Sequence, residues 1–146
     1  MKKQAYINGQ DAYTTWGITL AHGAVDALMT PPPSKDVVTG AYRREHGTRW
    51  VDANHYMDER DLTIEMHIHG DSYDDLHTKY LAFCEDVLQG VAVNIVTKWQ
   101  PAVCYRLRYV SCTSFLHVQG LAKFALKLNE PDPSDRDIPD DYTLDW

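Results

Sequence analysis

The chain reads as a mainly β protein of the α+β class, an antiparallel β-sandwich or open barrel flanked by a single α-helix at about residues 72–89. Three observations predict it. Leu62, Ile64, Met66 and Ile68 alternate with Thr63, Glu65, His67 and His69, the period of a strand buried on one face. Val103, Tyr105, Leu107 and Tyr109 alternate with Cys104, Arg106, Arg108 and Val110, and Ala122, Phe124, Leu126 and Leu128 alternate around Lys123 and Lys127. One segment alone has a sustained helical stripe: Leu76, Tyr80, Phe83 and Val87, widened by Tyr73, Cys84 and Leu88.

At the N-terminus, AYINGQDAYTTWGITL predicts a short strand, a hairpin-type turn at Asn8-Gly9, and a second short strand around Trp16–Leu20. The following AHGAVDALMT has room for one or two helical turns, interrupted by Gly23. Pro31, Pro32 and Pro33 then impose an extended connection, because each ring fixes φ and disfavours helix in the residue before it. Asp36–Arg44 reads as a strand, and HGTRWVDANHYMDERD as another that feeds a polar connection.

Gly70-Asp71-Ser72 turns the Leu62–His69 strand into the helix, with Ser72 and Asp75 placed to cap its free N–H groups and Gly90 as a left-handed stop. About 17 helical residues span roughly 25 Å, enough to cross one face of a small sheet. The segments VAVNIVTK, AVCYRLRYVSCTSF and GLAKFALKL complete the strands.

Residues 1–129 suffice for one domain, and 130–146 form an acidic tail rich in Pro and Asp. The net charge of −7 is concentrated there: seven acidic residues and Arg136 give −6, which leaves −1 for the body. A near-neutral body disfavours sequence-specific nucleic-acid binding. No apolar run approaches the roughly 20 residues of a membrane span, and the N-terminus has no signal-peptide core, so cytoplasmic residence is expected. Cys84, Cys104 and Cys112, odd in number and without C-x-x-C spacing, are expected to be small buried hydrophobes. The tail is expected to be mobile or to lie against a partner, with Tyr142, Leu144 and Trp146 able to dock into a neighbouring subunit.

Among chemical candidates, His67-x-His69 places two imidazoles on one strand face with Glu65 beside them, a metal-ligand geometry that is equally an ordinary solvated face. Cys84 with His77 would be a thiol–imidazole pair, although Cys84 falls on the apolar side of the helix. The cluster Asp58-Glu59-Arg60-Asp61 reads as a solvated turn. Arg106 and Arg108 share a strand face and suit contact with an acidic neighbour, including the tail of another subunit. Exposed Trp16, Trp50 or Trp99 would suit a carbohydrate or host-surface binding module. No P-loop, G-x-G-x-x-G, G-x-S-x-G or H-E-x-x-H is present.

The order YINGQDAYTTWGITL, TPPPSKDVVTG, REHGTRW, DERDLTIEMHIHGDSYDDLHTKYLAFCEDVLQG, VCYRLRYVSC and GLAKFALKLNEPDPSDR resembles tail proteins of tailed phages and prophages, especially those of gut Bacteroides-type bacteria. The pattern is similar to the tail-tube and distal-tail, or baseplate-hub, architecture. The resemblance implies a non-enzymatic structural subunit without a cofactor, made in the host cytoplasm and incorporated into the virion tail. Its partners would be copies of itself in a ring, as in a hexamer, and other tail or baseplate proteins, with DNA passing through a lumen. Strand edges and the Pro31–Arg44 loop would serve as assembly arms. A distal-tail protein often has a second domain, for which this chain has no room, so tube, connector and minimal hub all stay open. The alternatives are a metal-dependent or ligand-binding β-sandwich using His67 and His69, and the carbohydrate-binding module.

Overall fold

Pairing of the alternating segments produces one antiparallel sheet of seven strands, curled into a half-barrel, in a computed structural model that describes residues 4–33, 39–40, 49–50, 59–90 and 92–146. In chain order the strands are β1 (Ala5–Ile7), β2 (Gln10–Asp11), β3 (Ile18–Leu20), β4 (Thr39–Gly40), β5 (Arg49–Trp50), β6 (Arg60–His69), β7 (Val93–Thr97), β8 (Gln100–Val118) and β9 (Leu121–Glu130). The large sheet runs β2-β1-β7-β8-β9-β6-β3, and β4 pairs separately with β5. Apart from that short pairing, the strand expected at Asp36–Arg44 and the one expected in HGTRWVDANHYMDERD up to Asp58 lie outside the described residues, as does the Pro31–Arg44 arm beyond Pro33.

The period-2 patterns hold. Leu62, Ile64, Met66 and Ile68 are buried while Thr63 and Glu65 are exposed, and β6 pairs with β9 in unbroken register from Arg60↔Glu130 to His69↔Leu121. Asn8 (φ 52°) and Gly9 (φ 82°) make the expected tight turn between β1 and β2. The second strand starts later than expected, because Asp11 accepts a hydrogen bond from the Tyr13 N–H and caps a short helix, α1 (Ala12–Trp16). Gly17, at φ 68°, ends α1 and brings the chain so close to β6 that a Cβ there would lie 2.5 Å from the His69 carbonyl oxygen. Ala24–Met29 forms α2, which buries Ala24 and Leu28.

The long helix α3 (Tyr73–Phe83) starts as expected, with Ser72 Oγ accepting from the Asp75 N–H at 3.1 Å and Asp75 accepting from the Asp71 N–H at 2.9 Å. Its end corrects an expectation. A π-helical turn, Cys84–Leu88, continues it, and Gly90 is not left-handed. The N–H groups of Gln89 and Gly90 close onto the Cys84 and Val87 carbonyls, so those acceptors need no left-handed cap. The helix buries Leu76, Phe83 and Val87, and Phe83 packs against both Trp16 and Phe124 at 5.8 Å between ring centroids. Each such side chain contributes about 1.5–3 kcal/mol. Tyr73, expected on the stripe, is instead 57% exposed at its edge.

The β6–α3 and β8–β9 turns meet backbone to backbone, the Gly70 N–H donating to Gly120 O at 2.7 Å. A Cβ on Gly120 would stand 2.5 Å from the Gly70 oxygen. Gly120→Ala is therefore expected to destabilise the protein by about 1–3 kcal/mol in a urea titration, with little change in the slope.

Candidate assembly surface

Strand β8 is 19 residues long and changes partner midway. From Gln100 to Leu107 it pairs with β7, and from Arg108 to Val118 it pairs with β9 on its opposite edge. Register shifts between Tyr109 and Ser111 and between Cys112 and Ser114 bend the second half, as bulges do. The exchange leaves two stretches of β8 with one edge free of any described strand.

The C-terminal segment fills the first. The tail folds back from β9, the Cys104 N–H donates to the Arg136 carbonyl at 2.9 Å, and Arg106 reaches the Asp137 carbonyl at 2.7 Å and Asp135 at 3.6 Å. Beneath the crossing, fully buried Glu130 accepts from Arg60 at 2.8 Å and from Arg136 at 2.9 and 3.1 Å, with both guanidinium groups against the Tyr105 ring. Further on, Tyr142 lies over Gly9 and receives the Asn94 amide at 3.0 Å, the Tyr6 hydroxyl donates to the Asp145 carbonyl at 2.7 Å, and Trp146 packs edge-on against Tyr6 at 4.9 Å. A segment expected to be mobile or to lie against a neighbour thus lies on its own chain, because Arg136 and the terminal aromatics find partners there. Arg106 likewise meets the tail of its own chain, while Arg108 stays exposed.

The second free edge, Arg108–Val118, stays open among the described residues. Val110, Phe115, Leu116 and Val118 along it are 45–62% exposed. Between this edge and α3 lie two adjoining hollows of about 190 and 230 Å³ that share Tyr80 and Phe115. One is lined by Tyr73, His77 and His117 and the other by Cys84, Tyr109 and Cys112. A long apolar edge without Pro or inward charge is a template for another chain. Its signal was present in the exposed-side residues of the strand, but alternation alone does not reveal which edge lacks a neighbour.

The other candidates separate. His67 and His69 share a face as expected, with ring centroids 6.3 Å apart, and Glu65 lies 3.8 Å from His67. His69 Nε2, however, is 2.9 Å from the Thr19 hydroxyl, and no group of three or more potential ligands converges among the described residues. Burial first, then neighbouring His67 and Lys79, lower the His69 pKa below 6.5. Cys84 is half-buried beside Tyr80 and burial raises its thiol pKa, contrary to what a reactive thiolate needs; His77 is exposed. Cys104 is buried and pushed up to about 11 by desolvation, whereas Cys112, expected inside, is exposed. Trp16, proposed as an exposed ligand platform, is 1% exposed and donates its indole N–H to Asp86, while Trp99 is 48% exposed. Trp50's side chain lies outside the described residues, and Pro31 and Pro33, following α2, line a hollow of about 470 Å³ with Arg60, Leu62 and Thr63 of β6. Among the described residues no helix is long and apolar enough to cross a membrane.

No family model matches the chain, and no curated protein matches it. Among solved structures it is similar to the SPP1 Dit protein, described as a paradigm of the hub adsorption apparatus in phages infecting Gram-positive bacteria. The likeness has a TM-score of 0.56 and 16% sequence identity, and covers 89% of this chain and 50% of that one. It is a likeness of fold, and this chain spans about half the length of that protein.

Two outcomes follow from the geometry. Glu130→Ala leaves Arg60 buried without its carboxylate and is expected to cost about 3–5 kcal/mol in chemical denaturation. Because the folded pKa of His69 is depressed, its contribution to stability is present above pH 6.5 and is lost as pH falls through the folded value. His69→Gln should therefore flatten the acid side of the stability–pH curve, and NMR titration of the native imidazole should give a midpoint below 6.5.

Proposed function

We propose that the chain is a non-enzymatic structural subunit of a phage or prophage tail, of the tail-tube or distal-tail hub kind, that self-assembles into a ring, with a hexamer as the simplest form. The edge of β8 from Arg108 to Val118 carries the reading, since among the described residues no strand pairs with it and it presents exposed Val110, Phe115, Leu116 and Val118. The fold shared with a phage hub protein over 89% of the chain supports the tail assignment, as does the residue pattern, which resembles tail proteins of Bacteroides-type prophages. In this reading the protein is made in the bacterial cytoplasm and ends in the virion tail, joined to other tail or baseplate proteins.

Multi-angle light scattering and negative-stain imaging of the purified protein test it. A concentration-dependent oligomer with ring-shaped particles is the expected result, and a monomer at every concentration up to the millimolar range contradicts the proposal. The double variant Leu116→Asp, Val118→Asp should shift the equilibrium to monomer while leaving the far-UV circular dichroism spectrum unchanged.

A further inference from the structure

We propose that Cys84 and Cys112 are a redox-modification site, two thiols that join in a reversible disulfide and tie the π turn after α3 to the edge of β8. The bond lies within one chain, so it goes beyond the assembly reading and stands or falls apart from it.

The two thiols reach one hollow from its two sides. Cys84 opens the π turn and lies four residues after Tyr80, on the same helical face, and the Tyr80 ring packs on Phe115 of β8 at 5.1 Å between centroids. Cys112 stands opposite Leu126 of β9, and Leu126 is buried, so Cys112 shares the sheet face that α3 covers. Both line the hollow of about 230 Å³, with Tyr80 and Tyr109 beside them. Burial first, and then the negative charge of either sulfur as a thiolate, raises the phenol pKa of Tyr80 and of Tyr109, and Cys112 adds to the burial that raises Cys84. Groups that feel one another in this way form one cluster.

The local backbone suits a bond that is made and broken. A disulfide needs Cβ atoms about 3.8 Å apart. Register shifts flank Cys112, between Tyr109 and Ser111 and between Cys112 and Ser114, and no described strand pairs with the other edge there. Moving that stretch toward the π turn therefore breaks no described ladder on the open side. In this structure both thiols are reduced and have local partners: the Cys112 thiol donates to the Ser114 carbonyl at 3.2 Å, and Cys84 bonds to Tyr80. Thiol hydrogen bonds are weak and give way readily. Cys104 is excluded, because it is fully buried on the first half of β8 where the tail crosses.

The oxidant is a low-molecular-weight disulfide of the glutathione class. Exposed Cys112 attacks it as the thiolate, one oxidant sulfur leaves as a thiol, and a mixed disulfide forms at Cys112. The Cys84 thiolate then attacks Cys112 Sγ and expels the second thiol. Two protein S–H bonds are lost and one S–S bond forms, while two electrons and two protons pass to the oxidant. Excess reduced thiol reverses both steps, so a reducing compartment holds the pair open and an oxidising medium closes it.

The full chain, equilibrated in buffers of oxidised and reduced glutathione, alkylated, digested and read by peptide mass spectrometry, tests this. The expected product is a Cys84–Cys112 cross-linked peptide pair, two hydrogen masses lighter than the separate peptides, that disappears on reduction. Cys104→Ser should keep it, and Cys84→Ser should stop at a mixed disulfide on Cys112. Three free thiols in fully oxidised buffer, a mixed disulfide that persists on wild-type Cys112, a Cys112–Cys112 bond between copies, or a cross-link that forms only in denaturing urea would each overturn the proposal.

Discussion

The exchange of partners along β8 is the constraint from which the rest of the molecule follows. One strand pairs with β7 through Leu107 and with β9 from Arg108, and so joins the β2-β1-β7 and β9-β6-β3 parts into one curled sheet. An antiparallel strand has two edges, and each half of β8 uses one of them for a sheet neighbour. Backbone N–H and C=O groups left on the other edge need partners from elsewhere. The chain answers this requirement differently at its two ends.

At the first half the answer is internal. The tail bends back after β9, offers the Arg136 carbonyl to Cys104, and is pinned by Glu130 between Arg60 and Arg136. Burying those charges is costly, so the arrangement holds only because the carboxylate meets both guanidinium groups and Arg60 also donates to the Ala27 and Thr30 carbonyls. That cluster connects α2, β6, β9 and the tail. At the second half no described segment supplies an answer, and the aromatic hollow beneath α3 opens beside the same edge. Among the described residues, one stretch of the β8 edge is closed within the chain and the other is left without a strand neighbour.

Much of the fold was legible in the residues. Alternation located β6, β8 and β9, Asn8-Gly9 located the first hairpin, and Ser72 with Asp75 located the start of α3, because each signal depends on local geometry alone. Less was legible where neighbours decide. The helix α1 depends on Asp11 bonding two residues ahead, and the π turn at Cys84–Leu88 made Gly90 unnecessary as a left-handed stop. Glu130 belongs by composition to an acidic, solvated tail and by position to a fully buried ion cluster. Charge composition treats the two cases alike; only the arrival of Arg60 from 70 residues away distinguishes them. The candidate surface was legible only in part: Arg106 and the terminal aromatics read as contact residues and contact their own chain in this structure, whereas the stretch of β8 that no described strand pairs lies further along.

Backbone amide exchange along β8 tests the central claim most directly, because it reads the edge itself rather than the size of the assembly. Measured on dilute protein and on protein concentrated enough to assemble, alternate amides between Arg108 and Val118 should gain protection while those between Gln100 and Leu107 stay unchanged. Equal protection of the second half in both states would contradict the claim that copies assemble through this edge.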